Sequence, residues 1–155
     1  MKLSSSAFQT NGEIPRLYTC QGKDISVPLH WEDVPEGTQS LVLIVDDPDA
    51  PDPKAPQMTW VHWVLYNIPS DASHLPEAVK SKDLPEGTLE GTNDWKRTGY
   101  GGPCPPIGQH RYFHKLYALN KVLPNMNHPG KKEVEDAMRG HVLEKVELIG
   151  VYEKK

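Results

Sequence analysis

The sequence predicts a mainly β chain, an antiparallel β-sandwich with one C-terminal α-helix packed near the last strand, and three observations lead there. The 155 residues carry 15 prolines and 12 glycines, and every proline lies at or before Pro129. Short β-prone runs recur between these turns, and helical spacing of apolar residues occurs after the last proline. An interior proline removes a helical hydrogen bond and clashes with the preceding turn, which excludes a helix-rich front. Several short strands separated by Pro and Gly turns point to a sandwich or barrel.

Taken in order, weaker strand candidates lie near Leu3 to Phe8, Ile14 to Tyr18 and Leu29 to Trp31. Leu41-Val42-Leu43-Ile44-Val45 is a continuous apolar run, as expected of a strand buried on both faces, ended by Asp46-Asp47-Pro48. Trp60 to Ile68 is a second strand, and its alternation places His62, Val64 and Tyr66 on one face. A short helix within Asp71 to Val79 is permitted but not demanded. Further strands are expected over Arg111 to Leu119 and Val146 to Tyr152. Between them, Lys131 to Leu143 carries Val134, Ala137, Met138 and Val142 at helical spacing, with acidic residues in its first turns where the dipole favours them. No repeat or flexible linker divides the chain, so one domain over 1–155 is expected.

There are 17 basic and 21 acidic side chains, a net charge of −4, with 37% hydrophobic and 25% charged residues. That balance supports a packed core and argues against nucleic acid or an anionic membrane surface as partner, since both require clustered Lys and Arg. No apolar stretch approaches the roughly 18 residues of a membrane span. The start, Met1-Lys2-Leu3-Ser4, lacks the apolar segment of a secretory signal, so a cytoplasmic location is expected. Two cysteines, Cys20 and Cys104, make no disulfide framework, and a bridge between them would contradict that location.

Three polar clusters stand out. Asp46-Asp47-Pro48-Asp49-Ala50-Pro51 presents several carboxylates on a turn stiffened by proline. His62 sits between tryptophans in an apolar strand and needs a hydrogen-bond partner. Gly101-Gly102-Pro103-Cys104-Pro105-Pro106, leading into His110-Arg111-Tyr112, combines glycines that admit close approach with prolines that lock the path. A metal site of Asp47 or Asp49 with His62 and His110 lacks any supporting ligand spacing, and no metal or other cofactor is expected. A Cys104 thiolate nucleophile lacks oxyanion-hole amides beside its flanking prolines. The remaining reading is a non-catalytic anion pocket, in which two imidazoles, a phenol hydroxyl and loop amides donate to a phosphate or carboxylate. A carboxylate beside His62 would raise the pKa of that imidazole.

The set Asp47-Pro48-Asp49-Ala50-Pro51, Trp60-Val61-His62-Trp63 and Gly102-Pro103-Cys104-Pro105-Pro106 with His110-Arg111-Tyr112 resembles the phosphatidylethanolamine-binding protein family, or Raf-kinase-inhibitor-like proteins. Tyr18-Thr19-Cys20-Gln21-Gly22, Gly91-Thr92-Asn93-Asp94-Trp95 and Gly150-Val151-Tyr152 extend the likeness over nearly the whole chain, most closely to the short bacterial and archaeal branch. The resemblance implies a β-sandwich whose small pocket takes phosphorylated head groups. Its ligand-binding positions fall on Asp47, His62, Cys104, Pro105, Pro106, His110 and Tyr112, supported by Asp49, Pro51, Trp60 and Gly102. His62 and His110 would donate to the anion, Tyr112 would add a hydroxyl, and Asp47 would orient His62. Binding should then weaken as the histidines lose charge with rising pH. Two departures accompany the likeness: the animal members continue into a further C-terminal helix, and Cys104 replaces a glycine and places a thiol at the pocket rim. A homodimer is an expectation of the same kind. The rival reading is a module that inhibits a protease or kinase partner through its rigid Pro/Gly loops, and a phosphoester or acyl hydrolase is a third.

Overall fold

The computed structural model describes all 155 residues, Met1–Lys155. Its strands are β1 (Lys2–Ser4), β2 (Gly12–Glu13), β3 (Leu29–Glu32), β4 (Ser40–Ala50), β5 (Met58–Pro69), β6 (His74–Leu75), β7 (Leu89–Glu90), β8 (His110–Leu119) and β9 (Val142–Tyr152). One helix, α1 (Lys131–Met138), precedes β9, and single 3-10 turns cover Arg16–Tyr18 and Ser81–Asp83. The strands form a three-stranded sheet, β1-β3-β6, and a six-stranded sheet, β2-β9-β8-β4-β5-β7. Neighbours are antiparallel except at the edge, where β2 runs parallel to β9.

β4 lies in the middle of the large sheet, and both of its faces are buried, which explains its unbroken apolar run. Leu41, Leu43 and Val45 face the sandwich interior, where they meet Trp63, Leu65 and Leu116 from the same sheet and Leu29, Trp31 and Leu75 from the small one. Val42 and Ile44 face the other way, into a second cluster with Val64, Tyr66, Tyr117 and the helix residues Val134 and Met138. The helix therefore covers the outer face of the large sheet over β4, β5 and β8.

Several boundaries differ from the sequence reading. β4 runs through Asp46-Asp47-Pro48-Asp49 to Ala50 because each of those carboxylates finds a partner, as described below. The helix stops at Met138: Gly140 adopts a left-handed φ of 83°, the His141 N–H closes the turn onto the Met138 carbonyl at 2.9 Å, and Val142 then pairs with Leu119 as the first residue of β9. β2 ends at Glu13 and a 3-10 turn covers Arg16–Tyr18 where a strand over Ile14 to Tyr18 was expected, and Asp71 to Val79 contains the short β6, with no helix.

Two bulges overturn the face assignment in β5. Val45 pairs with Trp63 and Asp46 with Val61, so His62 is an extra residue with no opposite number on β4. Its ring leaves the face of Val64 and Tyr66 and meets Tyr112 edge-on, with centroids 5.2 Å apart. A second shift sets Leu41 against Ile68 and Leu43 against Leu65, with Asn67 at a φ of 55°.

Cys20 and Cys104 form a disulfide, with Cα atoms 5.4 Å apart and 84 residues between them in sequence. The sulfur expected at the cavity rim from Cys104 is therefore bridged, a pairing that the sequence left open. Such bridges persist in oxidising compartments and in intracellular proteins of hyperthermophiles, so this one is out of place in an ordinary reducing cytoplasm. No helix is long and apolar enough to cross a membrane.

The two-cluster core makes a direct comparison possible between Leu43, fully buried, and Leu143, 43% exposed at the start of β9. Leu43→Ala should cost about 2–5 kcal/mol of unfolding free energy and Leu143→Ala less than about 0.5. Equal losses in chemical denaturation would contradict the placement of these strands.

Candidate functional site

The acidic end of β4 is where packing and polarity meet. Asp46, Asp47 and Asp49 are all buried, and a buried carboxylate is tolerated only when paired or hydrogen-bonded. Asp46 faces outward and accepts from Lys115 at 3.0 Å and Lys131 at 2.7 Å. Asp49 takes a two-pronged contact from the Arg111 guanidinium, both arms at 2.9 Å, plus the Arg111 backbone N–H. That guanidinium holds the Asp49 carboxyl below its ordinary range. Asp47 lies between them in sequence, accepts the Asp49 N–H at 2.7 Å through Oδ1, and faces the His110 ring.

His110 has both ring nitrogens committed. Nε2 faces the carbonyl oxygens of Ile107 at 2.9 Å and Pro51 at 3.1 Å, so it carries a proton, while Nδ1 lies 2.6 Å from Asp47 Oδ2 and the two share a second proton. Burial pushes the Asp47 carboxyl up, against the opposing pull of the His110 contact. The carboxylate expected to orient His62 thus holds His110 instead. His110 in turn ties the Ile107 loop to the end of β4.

His62 is oriented by backbone. Its Nδ1 lies 2.7 Å from the Gly101 carbonyl, and the Gly101 N–H returns to the His62 carbonyl at 3.0 Å. Nδ1 is therefore the protonated nitrogen, and Nε2 carries a bare lone pair with no partner in the chain. Burial lowers the His62 pKa to about 4, the reverse of the rise expected from a neighbouring carboxylate. The ring is neutral through ordinary pH.

Around these groups lies a cavity of about 400 Å³. Asp47, Ala50 and Pro51 enter it from β4 and the turn after it, Met58, Trp60 and His62 from β5, Cys104, Pro105 and Pro106 from the Pro/Gly loop, His110 from β8, and Trp95 from the loop after β7. Of the residues singled out in the sequence, Asp47, His62, Cys104, Pro105, Pro106, His110, Pro51 and Trp60 thus share one wall system. Asp49 stands behind it as the Arg111 partner, and Gly102 donates to Asp24 Oδ1 at 2.7 Å. Tyr112 is not part of the lining: its ring is 1% exposed beneath the two histidines, and its hydroxyl is buried without a partner. No Lys or Arg side chain lines the cavity.

Trp95 and Met58 were not anticipated as site residues. Trp95 stands edge-on to His62 at 5.0 Å and to Trp60 at 5.6 Å. The turn that aims it is built by Asn93, whose Oδ1 accepts the Trp95 N–H at 2.9 Å, and by Asp94, whose Oδ2 accepts the Val61 N–H at 2.7 Å. A Cβ at Gly101 would strike the Trp95 ring, which is why the loop has glycine there. The sequence signal was present in Asn93-Asp94-Trp95 but carried no chemistry of its own.

The buried histidines make the fold acid-sensitive. His114, enclosed by the Tyr112 and Leu148 carbonyls, also falls to about 4 by burial. Both groups bind protons more readily when unfolded, so their stabilisation is complete above pH 6.5 and disappears as pH falls toward 4. Between pH 6 and 5 the unfolding free energy should drop by about 2–3 kcal/mol, and His62→Gln should roughly halve that slope. A flat profile across this interval would contradict the burial of both rings.

Comparison with known proteins places the chain in a family. The phosphatidylethanolamine-binding protein model matches residues 4–153. A UPF0098 protein of Methanothermobacter thermautotrophicus is 48% identical over 155 residues, covering 99% of both chains. One from Aquifex aeolicus is 47% identical, over 99% of this chain and 89% of its own. The crystal structure of a phosphatidylethanolamine-binding protein homologue of Chlamydia trachomatis superposes with a TM-score of 0.90 at 40% identity, covering 99% of this chain and 97% of that one. YbcL of Escherichia coli, described as a new member of the mammalian family, gives 0.89 at 31% identity, over 99% and 98% of the two chains. The fold and the match over nearly its whole length show that this chain is a member of the phosphatidylethanolamine-binding protein family, on its bacterial and archaeal side.

Proposed function

We propose that the chain is a non-catalytic binding protein whose cavity holds a small oxyanion head group that brings its own proton, such as a singly protonated phosphate monoester. The observation that carries this reading is the His62 ring, which lines the cavity with its Nδ1 held by the Gly101 carbonyl and its Nε2 left without a partner in the chain. A fully ionised anion would meet this lone pair, while the Asp47–His110 pair with its shared proton has no net charge to attract it and no Lys or Arg lines the cavity. A P–OH group donates to Nε2 and removes the conflict, and its other oxygens accept from loop amides. The Cys104 N–H is the one amide in Pro103-Cys104-Pro105-Pro106, and it has no partner within the chain. Trp60, Trp95 and Met58 form an apolar collar for whatever the head group is attached to. Covalent catalysis through Cys104 has no thiolate to start from, since the sulfur is bonded to Cys20. The inhibitor reading would use the exposed Ile107 on the same loop and does not require the His62 lone pair.

The pH dependence keeps the direction expected from the sequence but changes its owner. His62 gains charge only near pH 4, whereas a phosphate monoester loses its second proton near pH 6. Phosphoethanolamine should therefore bind about tenfold more weakly at pH 8 than at pH 7 in titration calorimetry. Ethanolamine O-sulfate, which has no such proton, should bind at least about tenfold more weakly at either pH, and His62→Ala should abolish the difference between the two esters. Equal affinity for sulfate and phosphate would defeat the proposal, and unchanged phosphoethanolamine binding in His62→Ala would turn attention to the loops.

A further inference from the structure

The disulfide lies where it matters most to the cavity. The loop that forms the proline wall is held firmly up to Pro103: the Tyr100 hydroxyl donates to the Tyr18 carbonyl at 2.9 Å, the Gly102 N–H to Asp24, and the Cys20 N–H to the Pro103 carbonyl at 3.1 Å. It is held again at Ile107, whose carbonyl meets His110 Nε2. Between these ties, residues 104–106 make no hydrogen bond, and they are held to the body of the protein by the covalent bond from Cys104 to Cys20 and by the packing of the buried Pro105 ring. Pro105 and Pro106 have fixed φ angles, so the segment is a stiff flap between its two ties. Cys20 and Cys104 are both exposed, which leaves the bridge open to an attacking thiolate.

We infer that the Cys20–Cys104 bridge is a thiol–disulfide exchange site that controls the cavity wall, with a dithiol reductant as its reaction partner. A thiolate of the dithiol attacks one sulfur, the bond between the cysteines breaks, and the displaced thiolate takes up a proton. The second thiol then resolves the mixed disulfide. The protein gains two electrons and two protons as two thiols, and the dithiol leaves as its own disulfide. Reduction releases the Cys104-Pro105-Pro106 flap, moving the Cys104 N–H and both prolines away from the position at which they meet a bound head group. The local effect does not require unfolding, because neither hydrophobic cluster includes a cysteine and the neighbouring ties at Pro103 and Ile107 remain. The ligand consequence rests on the binding reading above, but the release of the flap does not.

The test compares the oxidised chain, the chain reduced with dithiothreitol, and Cys20→Ser/Cys104→Ser. Protein prepared without reductant and denatured should show no free thiol, and reduced protein two. In nitrogen-15 relaxation, the Cys104 and Ile107 amides should fall from an order parameter of about 0.85 to below about 0.6 on reduction and in the double variant, while the Gly108 and β4 amides stay rigid. Phosphoethanolamine should bind about tenfold more weakly to both altered forms. Unchanged order parameters in the flap, loss of β4 rigidity along with it, or two free thiols in unreduced protein would each overturn the inference. Should the flap loosen in a chain that binds no phosphoethanolamine even when oxidised, the exchange site stands and the head-group reading falls.

Discussion

The site depends on burying three carboxylates, Asp46, Asp47 and Asp49, in the last turn-free stretch of a central strand. Each must be compensated, and β8 supplies Lys115, His110 and Arg111 for the purpose, joined at Asp46 by Lys131 from the helix. Removing one member of a buried, hydrogen-bonded charge pair typically costs about 3–5 kcal/mol, while exposed pairs such as Lys132–Asp136 contribute little. The pairings therefore hold β4 against β8 beyond its apolar run and fix which groups look into the cavity. Asp46 and Asp47 are neighbours with opposite outlooks, one serving the helix side and one the cavity.

With β4 fixed, the bulge at His62 determines the chemistry. An unbulged strand would have left this ring on the face of Val64 and Tyr66, away from the cavity. The extra residue instead turns it toward Tyr112 and lets the Gly101 carbonyl accept a hydrogen bond from its Nδ1–H. Two histidines that look alike in sequence consequently behave differently. His110 is a brace with both nitrogens engaged, and His62 is a neutral acceptor. The cavity is polar without being cationic, and an apolar aromatic collar surrounds it.

Much of this architecture was legible in the sequence for definite reasons. Leu41 to Val45 read as a strand buried on both sides, and the stretch after Pro129 was the one place where apolar spacing called for a helix. The three motifs that meet at the cavity were recognisable by residue type and order. What escaped were features that depend on partners across the fold. The extension of β4 through its aspartates follows from cations 60 or more residues away, and the helix end from the pairing of Val142 with Leu119. Periodicity cannot reveal a bulge, so His62 was assigned to the wrong face. Residue type suggested that Tyr112 would donate to a ligand, but its depth beneath the histidines removes it from the lining. The pairing of Cys20 with Cys104 was left open by spacing alone.

The central claim is that His62 offers a hydrogen-bond acceptor to the cavity. Long-range proton–nitrogen NMR on uniformly nitrogen-15-labelled protein at pH 7 reads this state directly, without a ligand. The expected state is a neutral ring protonated at Nδ1 with a bare Nε2. A ring protonated at Nε2, or at both nitrogens, would contradict it.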